Sequence, residues 1–194
     1  IILFCAGAKI RHFVLLGVPA VAGVFALVIT SPYRYKRLVS FLDPWSDPQG
    51  GGWQVVQSLY AIGSGGLFGR GLGKSLQKFL YIPEPYNDFI LAVLAEELGF
   101  IGVFTVLLLF LIFIWRGIKI SINAPDVFGC LLAAGITSLI AVQVIINVAV
   151  VTSSMPVTGM PLPFFSYGGT SLVFLLSGIG ILLNISKHSN YDRV

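Results

Sequence analysis

The stretch that decides the fold is IPEPYNDFILAVLAEELG, residues 82–99, because a polar loop enters a long apolar run there. Pro83 and Pro85 keep the approach extended, since the residue before a proline avoids the helical region. Asn87 or Asp88 can then cap a helix by accepting hydrogen bonds from its free backbone N–H groups. The stretch therefore predicts the start of a helix that continues through the apolar residues behind it.

The apolar run extends from Phe89 to Trp115, and its only charged residues are Glu96 and Glu97. An ionised carboxylate near the middle of a bilayer costs about 2.5–3.5 kcal/mol on insertion scales, so such groups usually face the protein interior. On an ideal helix Glu96 lies ~12 Å from Asp88 along the axis and ~80° around it, whereas Glu97 lies on the opposite face. We therefore predict a structural role for both glutamates.

The composition is that of an integral membrane protein. The 194 residues are 56% hydrophobic and only 10% charged, with a mean hydropathy of +0.92, whereas soluble domains are about 25% charged. The net charge of +4 is spread over loops, so it bears on orientation and lipid contact, and nucleic acid is not an expected partner. Cys5 and Cys130 have neither disulfide nor metal-site spacing. Because Ile1 lies inside an apolar run, we expect the C-terminal part of a longer protein.

Runs of about 20 apolar residues cross a bilayer as helices. We predict an all-α fold, a single polytopic helix bundle over residues 1–194, with about four full spans, one partial span and short interfacial helices in a large outer loop. The predicted spans are 1–8 (partial), 13–30, 89–115, 127–151 and 164–184. Lys and Arg occur in 9–12, in 116–126 and at the C-terminus, so the positive-inside rule places these segments in the cytoplasm. Loops 31–87 and 152–163 then face outward.

Basic residues beside the membrane in the outer loop indicate contact with anionic groups. The segment YRYKRLVSFL, residues 33–42, has an apolar helical face, and Arg34 and Arg37 fall away from it. This pattern is typical of an interfacial helix on the outer leaflet. Contact with lipid headgroups and a seat for an anionic lipid substrate are both open interpretations. The segment WQVVQSLYAI, residues 53–62, predicts another short amphipathic helix.

The outer loop also contains a glycine-rich segment, GSGGLFGRGLG at 63–73. The following Lys74 invites a P-loop interpretation, but Phe68 stands where that motif requires glycine, and the strand-to-helix context is missing. Backbone N–H groups of a glycine-rich loop can still cradle a phosphate, and Arg70 and Lys78 are nearby in the sequence. A merely flexible loop is the other interpretation.

Two polar features lie in the later spans. Gln143 and Asn147 are four residues apart and share one helix face, which predicts an interhelical hydrogen bond. The segment FFSYGGTS, residues 164–171, opens the last span with small residues and hydroxyls. A helix N-terminus of that kind can receive an anion or can pack closely against a neighbour. Both interpretations remain open.

Five segments together resemble the bacterial shape, elongation, division and sporulation (SEDS) family, the proteins of the FtsW, RodA and SpoVE type. They are LDPWSDP at 42–48, QSLYAIGSGGLFGRGLG at 57–73, QKFLYIPEPYNDFI at 77–90, AEELG at 95–99 and PVTGMPLPFFSYGGTS at 156–171. The family has ten spans, and the chain resembles its second half. The QKFLYIPEP form is more similar to the division and sporulation branch than to RodA. Asn87 and Thr170 depart from the family, which usually has threonine and serine there.

The resemblance implies a peptidoglycan glycosyltransferase that polymerises lipid II at the outer face of the bacterial cytoplasmic membrane, for cell division or sporulation. It also implies a class B penicillin-binding protein as the partner transpeptidase, with other divisome or sporulation membrane proteins as further partners. The family's essential aspartate falls on Asp88. This residue would accept the proton of the acceptor sugar hydroxyl, directly or by helping to hold a divalent cation, Mg²⁺ or Mn²⁺. No other cofactor and no dedicated set of metal ligands is expected.

Glycan polymerisation also needs positive groups for the departing lipid pyrophosphate and polar groups around the sugars. The predicted substrate-binding residues are Arg34, Arg37, Arg70, Lys74, Lys78, Glu84, Ser166, Tyr167, Gly168 and Gly169. The polar residues predicted to be structural within the membrane are Glu96, Glu97, Gln143 and Asn147. Two other functions stay open: a lipid II flippase or other transporter, because intramembrane carboxylates and broken helices also suit transport, and a scaffold that only activates a penicillin-binding protein.

Overall fold

The computed structural model describes residues 2–31, 41–46, 52–76 and 86–189, and within these ranges the chain is helical, with turns and no β-strand. The helices are α1 (Ile2–Cys5), α2 (Ile10–Thr30), α3 (Trp53–Gly65), α4 (Ile90–Ile122), α5 (Val127–Val151) and α6 (Gly169–Lys187). Four of them, α2, α4, α5 and α6, are long enough and apolar enough to cross a membrane. The prediction of an all-α bundle with about four spans is therefore confirmed. The predicted interfacial helix around Arg34 and Arg37 lies outside the described residues.

The centre of the bundle is the packed pair α4 and α5. The turn between them is short, and Asp126 caps α5 by accepting a hydrogen bond from Gly129 N at 3.0 Å. The two helices approach closely at Gly117, where a Cβ would lie 2.3 Å from Thr137 Oγ1. Small residues allow this approach, which membrane helices need because lipid gives little hydrophobic drive for their association. α3 packs against α4, and α6 packs against α5.

α4 is not one continuous helix, because Gly99 interrupts it with φ of 69° and ψ of −170°. Glycine adopts a positive φ readily, whereas residues with a Cβ do not. The helix therefore consists of two segments, 90–98 and 100–122. The predicted span 89–115 corresponds to this helix, which breaks at Gly99 and continues to Ile122.

The glycine-rich loop after α3 fills this break with backbone hydrogen bonds. A broken helix leaves N–H and C=O groups without intrahelical partners, and apolar surroundings offer no water to replace them. The loop supplies two donors and two acceptors. The four bonds are Arg70 N to Glu96 O (3.0 Å), Gly71 N to Glu97 O (3.0 Å), Phe100 N to Gly66 O (2.9 Å) and Ile101 N to Leu67 O (3.2 Å).

Glycine at three positions makes this backbone contact possible. A Cβ at Gly65 would lie 1.9 Å from Ala95 O, and one at Gly69 would lie 2.2 Å from Glu97 O. A Cβ at Gly99 would lie 2.3 Å from Gly69 N. The loop and the helix break therefore form one unit in which no side chain separates the two backbones.

Candidate active site

Asp88 lies in a short turn, residues 86–88, that leads into α4, and it is half-buried. The N-cap position of the helix is Phe89, so the prediction that Asn87 or Asp88 caps the helix is wrong. Phe89 is almost completely buried and fixes the start of the helix in the core. Since Asp88 precedes the helix, the ideal-helix relation between Asp88 and Glu96 does not describe the structure.

All three backbone carbonyls of this turn accept hydrogen bonds from distant parts of the chain. The donors come from the C-terminal end of α5 and from the loop that precedes α6. The bonds are Tyr167 N to Tyr86 O (2.8 Å), Ser166 Oγ to Asn87 O (2.5 Å) and Asn147 Nδ2 to Asp88 O (3.0 Å). These three hydrogen bonds therefore fix the backbone position of Asp88, and none of them involves its side chain.

The loop between α5 and α6 is held in place by some of the same residues. Asn147 Nδ2 also donates to Met160 O at 2.8 Å, and Leu162 N donates to Ser166 Oγ at 2.8 Å. Leu162 is buried in the core. At Gly159, where φ is +66°, a Cβ would lie 3.5 Å from Asp88 Oδ2. The loop thus runs directly past the Asp88 carboxylate.

A cavity of about 560 Å³ opens beside this turn. Four of the predicted substrate-binding residues, Ser166, Tyr167, Gly168 and Gly169, line it, together with Tyr86 and Ile90. The structure therefore brings the FFSYGGTS segment to the turn that carries Asp88. The hydroxyl of Ser166 already donates to Asn87 O in the turn and accepts from Leu162 N in the loop before α6, whereas the Tyr167 side chain is exposed.

A second cavity, of about 350 Å³, lies between α5, the same loop and α6, and most of its lining is apolar. Gln143 and Ser166 are among its few polar residues. Gln143 and Asn147 were predicted to share one helix face that forms an interhelical hydrogen bond. The structure gives the two side chains different environments, since Gln143 faces the cavity and Asn147 bonds to the turn and the loop.

Glu96 is fully buried, and its carboxylate receives donors from the glycine-rich loop and from the residues that follow it, up to Leu76. Ser75 Oγ donates to Glu96 Oε2 at 2.5 Å, and Leu76 N donates to Glu96 Oε1 at 3.1 Å. Arg70 Nη1 lies 3.5 Å from Glu96 Oε1, with 39% of the Arg70 side chain exposed. A carboxylate with several donors is a satisfied buried charge. Glu97 is also buried.

The structure therefore separates the predicted basic residues. Arg70 is paired with Glu96, and the backbone N–H groups of Arg70 and Gly71 donate within the protein, so they do not form a phosphate cradle. Lys74 is exposed at the surface of the same loop. Arg34, Arg37, Lys78 and Glu84 lie outside the described residues.

The described residues contain no group of three or more His, Cys, Asp or Glu side chains that could hold a metal ion. Asp88 alone does not make such a site. A divalent cation at Asp88 would need its other ligands from the substrate or from residues outside the described ranges.

Three residues of the site were missed by sequence reasoning. Gly99 breaks α4, Ser75 binds Glu96, and Gly159 lies against the Asp88 carboxylate. Gly99 had a detectable signal, because glycine is unfavourable in the interior of a helix. Ser75 and Gly159 lie in loops, where spacing along the chain does not indicate which residues meet.

Comparison with known proteins defines the class to which this bundle and site belong. The family model described as "Cell cycle protein", which covers the FtsW, RodA and SpoVE type, matches residues 1–191. The chain belongs to this family and is a multi-pass membrane protein.

Among curated relatives, the chain is 56% identical over 191 residues to Stage V sporulation protein E of Bacillus subtilis (strain 168), covering 98% of this chain and 52% of that protein. It is 47% identical over 186 residues to a probable peptidoglycan glycosyltransferase FtsW of Geobacter sp. (strain M18), covering 96% and 51%. The chain spans about half the length of the curated relatives it matches.

Solved structures give the same family. A chain from a study of "polymerization and crosslinking by a peptidoglycan synthase complex" matches with a TM-score of 0.74 and 34% identity, covering 98% of this chain and 53% of that chain. The rod shape determining protein RodA of Thermus thermophilus matches with a TM-score of 0.52 and 27% identity, covering 81% and 57%. The resemblance stated from the sequence motifs is therefore confirmed.

Proposed function

We propose that the protein is a peptidoglycan glycosyltransferase that polymerises lipid II at the outer face of the bacterial cytoplasmic membrane, during cell division or sporulation. The names of the FtsW relatives support the activity, and the similarity to Stage V sporulation protein E supports the sporulation branch. The observation that carries the proposal is the placement of Asp88. Its turn is anchored through three consecutive carbonyls beside a cavity lined by Ser166, Tyr167 and Gly168.

In the proposed reaction, an acceptor sugar hydroxyl attacks the anomeric carbon of the donor. A new C–O bond forms as the bond from that carbon to the lipid pyrophosphate breaks, and the pyrophosphate leaves with both electrons. Asp88 takes the proton of the hydroxyl. If Asp88 also helped to hold a divalent cation, that cation would supply positive charge to stabilise the hydroxyl oxygen and the departing pyrophosphate. A base must be held within hydrogen-bond reach of the proton that it removes. The anchored turn supplies such a fixed position.

The substrate requires cationic and polar contacts besides the base. We assign the pyrophosphate to the basic residues of the outer loop, Lys74 in the described part and Arg34, Arg37 and Lys78 outside it, whereas Arg70 is paired with Glu96. We assign the sugars to the cavity beside Tyr86. Backbone N–H groups at the start of α6, from Gly169 onward, add a partial positive charge at the edge of that cavity.

The orientation and the partners belong to the same proposal. Basic residues beside α2, at the end of α4 and after α6 favour an orientation with the C-terminus in the cytoplasm. Asp88 then lies at the outer face. The partner transpeptidase would be a class B penicillin-binding protein, acting with other divisome or sporulation proteins. The similar solved chain comes from a peptidoglycan synthase complex, which supports an assembly of this kind.

One observation favours transport as a second candidate function. Discontinuous helices often form the binding sites of transporters, and α4 is discontinuous at Gly99. However, the backbone groups exposed by the break and the Glu96 carboxylate are occupied by the glycine-rich loop. The break therefore has a structural partner within the same chain.

The test is lipid II polymerisation by the protein at the length of its curated relatives, purified in detergent with its partner transpeptidase. Polymer formation in detergent supports the enzyme, because detergent offers no two sides for transport. Asp88→Asn should lower the rate by about 10²–10⁴, the usual contribution of a general base. Asp43→Asn is the matched control, since Asp43 is an exposed aspartate of the outer loop and should leave the rate unchanged.

An Asp88→Asn enzyme within about threefold of the parent, far short of the general-base range, would remove Asp88 from the base role. Polymer that forms only with the partner present, and equally well with Asp88→Asn, would support the scaffold function instead.

A further inference from the structure

We infer that Asn147 is a positioning residue, whose side-chain amide holds the turn 86–88 and the loop before α6 together so that Asp88 meets the acceptor hydroxyl. The inference rests on the proposed function of Asp88. It gives Asn147 a more specific role than that of a polar contact between helices.

Asn147 has both of its amide hydrogens committed to backbone carbonyls near Asp88. The residue is only 1% exposed and lies near the C-terminal end of α5. Its Nδ2 atom donates to Asp88 O at 3.0 Å and to Met160 O at 2.8 Å. An asparagine amide has two hydrogens to donate. One side chain therefore links the carbonyl of the candidate base to the loop that runs past its carboxylate at Gly159.

The location of the two acceptors indicates that Asn147 positions the turn and does not only pack α5 against another helix. Both lie in irregular segments and not within a neighbouring helix, and among the described residues no helical N–H group bonds to them. Because both neighbours are acceptors, only the NH₂ group can point toward them, and the orientation of the amide is fixed. Asn147 Oδ1 is buried and makes no hydrogen bond among the described residues. The Asn147 amide is therefore oriented so that its NH₂ group reaches the turn and the loop, while its oxygen is left without a hydrogen bond among the described residues.

A comparison with the partners of the other two carbonyls of the turn shows which part of the turn Asn147 holds. Tyr86 O and Asn87 O are bonded to Tyr167 N and Ser166 Oγ, both next to the cavity. Asp88 O is bonded to the amide of Asn147, which belongs to α5 and not to the cavity lining. Loss of this amide should leave the bonds of Tyr86 O and Asn87 O to the cavity lining in place and let the backbone of Asp88 move. A displacement of about 1 Å at a reacting group can cost on the order of 10² in rate.

The kinetic expectation is a split between kcat and KM. Asn147→Leu keeps the branching and the number of heavy atoms of the side chain and removes both donors. Turnover at saturating lipid II should fall on the order of 10²-fold, while KM stays within about threefold of the parent. In an Asp88→Asn background, Asn147→Leu should cause no further loss, because residues that act through one another are not additive.

A second measurement does not depend on the reaction. Hydrogen–deuterium exchange of the protein at the length of its relatives should show faster exchange in a peptide covering 86–91 in Asn147→Leu. Exchange in 100–122 should be unchanged. Thr137→Val is the matched control, since Thr137 is a buried polar residue of the same helix whose Oγ1 has no hydrogen-bond partner among the described residues. It should change neither exchange nor turnover.

Unchanged exchange at 86–91 in Asn147→Leu overturns the inference whatever the enzyme does. Faster exchange with parental kcat also overturns it, because the turn would then move without consequence. A further loss of activity in the Asp88→Asn background would show that Asn147 acts elsewhere. By contrast, retention of activity in Asp88→Asn alone refutes the proposed base, so the two failures are distinguishable.

If Asn147→Leu does not fold, Asn147→Gln tests the same role. The longer side chain keeps both donors but displaces the turn, so kcat should fall with KM retained and with a melting temperature close to that of the parent. Parental kcat in a folded Asn147→Gln protein overturns the positioning role.

Discussion

Arg70 Nη1 lies 3.5 Å from Glu96 Oε1, which joins a loop arginine that is 39% exposed to a fully buried glutamate of α4. Ser75 Oγ and Leu76 N complete the donors around the same carboxylate. Three residues of one loop therefore converge on a single acidic group in an apolar helix. The pairing occurs beside the break at Gly99, where the backbones of the loop and the helix also bond.

This arrangement gives a physical reason for an acidic residue within an apolar run. A buried carboxylate is tolerated when it is paired and hydrogen-bonded. Here the charge is used to close the loop over a broken helix, whose unsatisfied backbone groups need the same loop. Side chain and backbone therefore stabilise one another.

The first prediction concerns the donors of Glu96. Ser75→Ala and Glu96→Gln should each lower the free energy of unfolding by about 1–3 kcal/mol, the range for removing one partner of a buried hydrogen bond. Lipid II turnover per folded molecule should change little, because both residues act on stability and not on catalysis. The measurements are a thermal melt and lipid II polymerisation on the same preparations. The double variant should lose less stability than the sum of the two, because both act on one contact.

A well-folded Glu96→Gln protein without polymerase activity would contradict this structural role. Fully additive losses of stability would show that Ser75 and Glu96 act separately.

The second prediction concerns the helix break. Gly99→Ala should abolish folded yield, because a Cβ there would lie 2.3 Å from Gly69 N and 2.6 Å from Leu67 O, and the positive φ adds about 1–3 kcal/mol of strain. Gly63→Ala is the control. Gly63 lies in α3 with open space around its Cβ position, so alanine should be neutral or should stabilise by up to about 1 kcal/mol.

The measurements for Gly99→Ala and Gly63→Ala are the yield of detergent-solubilised protein and its size-exclusion profile. Normal yield and a parental melt for Gly99→Ala would show that the helix does not need its break.

The fold class was predictable because apolar runs of membrane-spanning length are a direct signal, and the helix at 53–62 followed from its periodicity. The break at Gly99 was not predicted, because an apolar run reads as one helix and the partner that stabilises the break lies in a distant loop. The same limit applies to the site. The catalytic role of Asp88 was predicted from its motif and stays a prediction, whereas its wrongly predicted capping role depended on where the helix begins.

Spacing along one helix also gave an incomplete account of Asn147. Its distance from Gln143 indicated a shared face, and that face suggested helix-to-helix contact. The actual acceptors, Asp88 O and Met160 O, belong to segments without regular structure. Sequence periodicity carries no information about which irregular segments meet.

The third prediction concerns orientation. In a background with Cys5 and Cys130 replaced, Thr158→Cys should react with an impermeant thiol reagent on intact cells, and Pro125→Cys should react only after permeabilisation. Both positions are exposed, whereas Ser121 is buried against Cys130 and would be a poor reporter. Labelling of Pro125→Cys alone would place Asp88 on the cytoplasmic side and refute polymerisation at the outer face.

The last prediction separates the two basic residues of the glycine-rich loop. Lys74 is exposed, whereas Arg70 is paired with the buried Glu96, so their substitutions should act differently. Lys74→Gln should lower kcat/KM for lipid II on the order of tenfold, as expected for one lost contact to a charged phosphate, and should leave the melting temperature unchanged. Arg70→Gln should lower the melting temperature as well, because it removes a donor from Glu96. Parental kcat/KM in Lys74→Gln would exclude Lys74 from the pyrophosphate site. A parental melt combined with lost activity in Arg70→Gln would show that Arg70 serves the substrate and that its pairing with Glu96 contributes little to the fold.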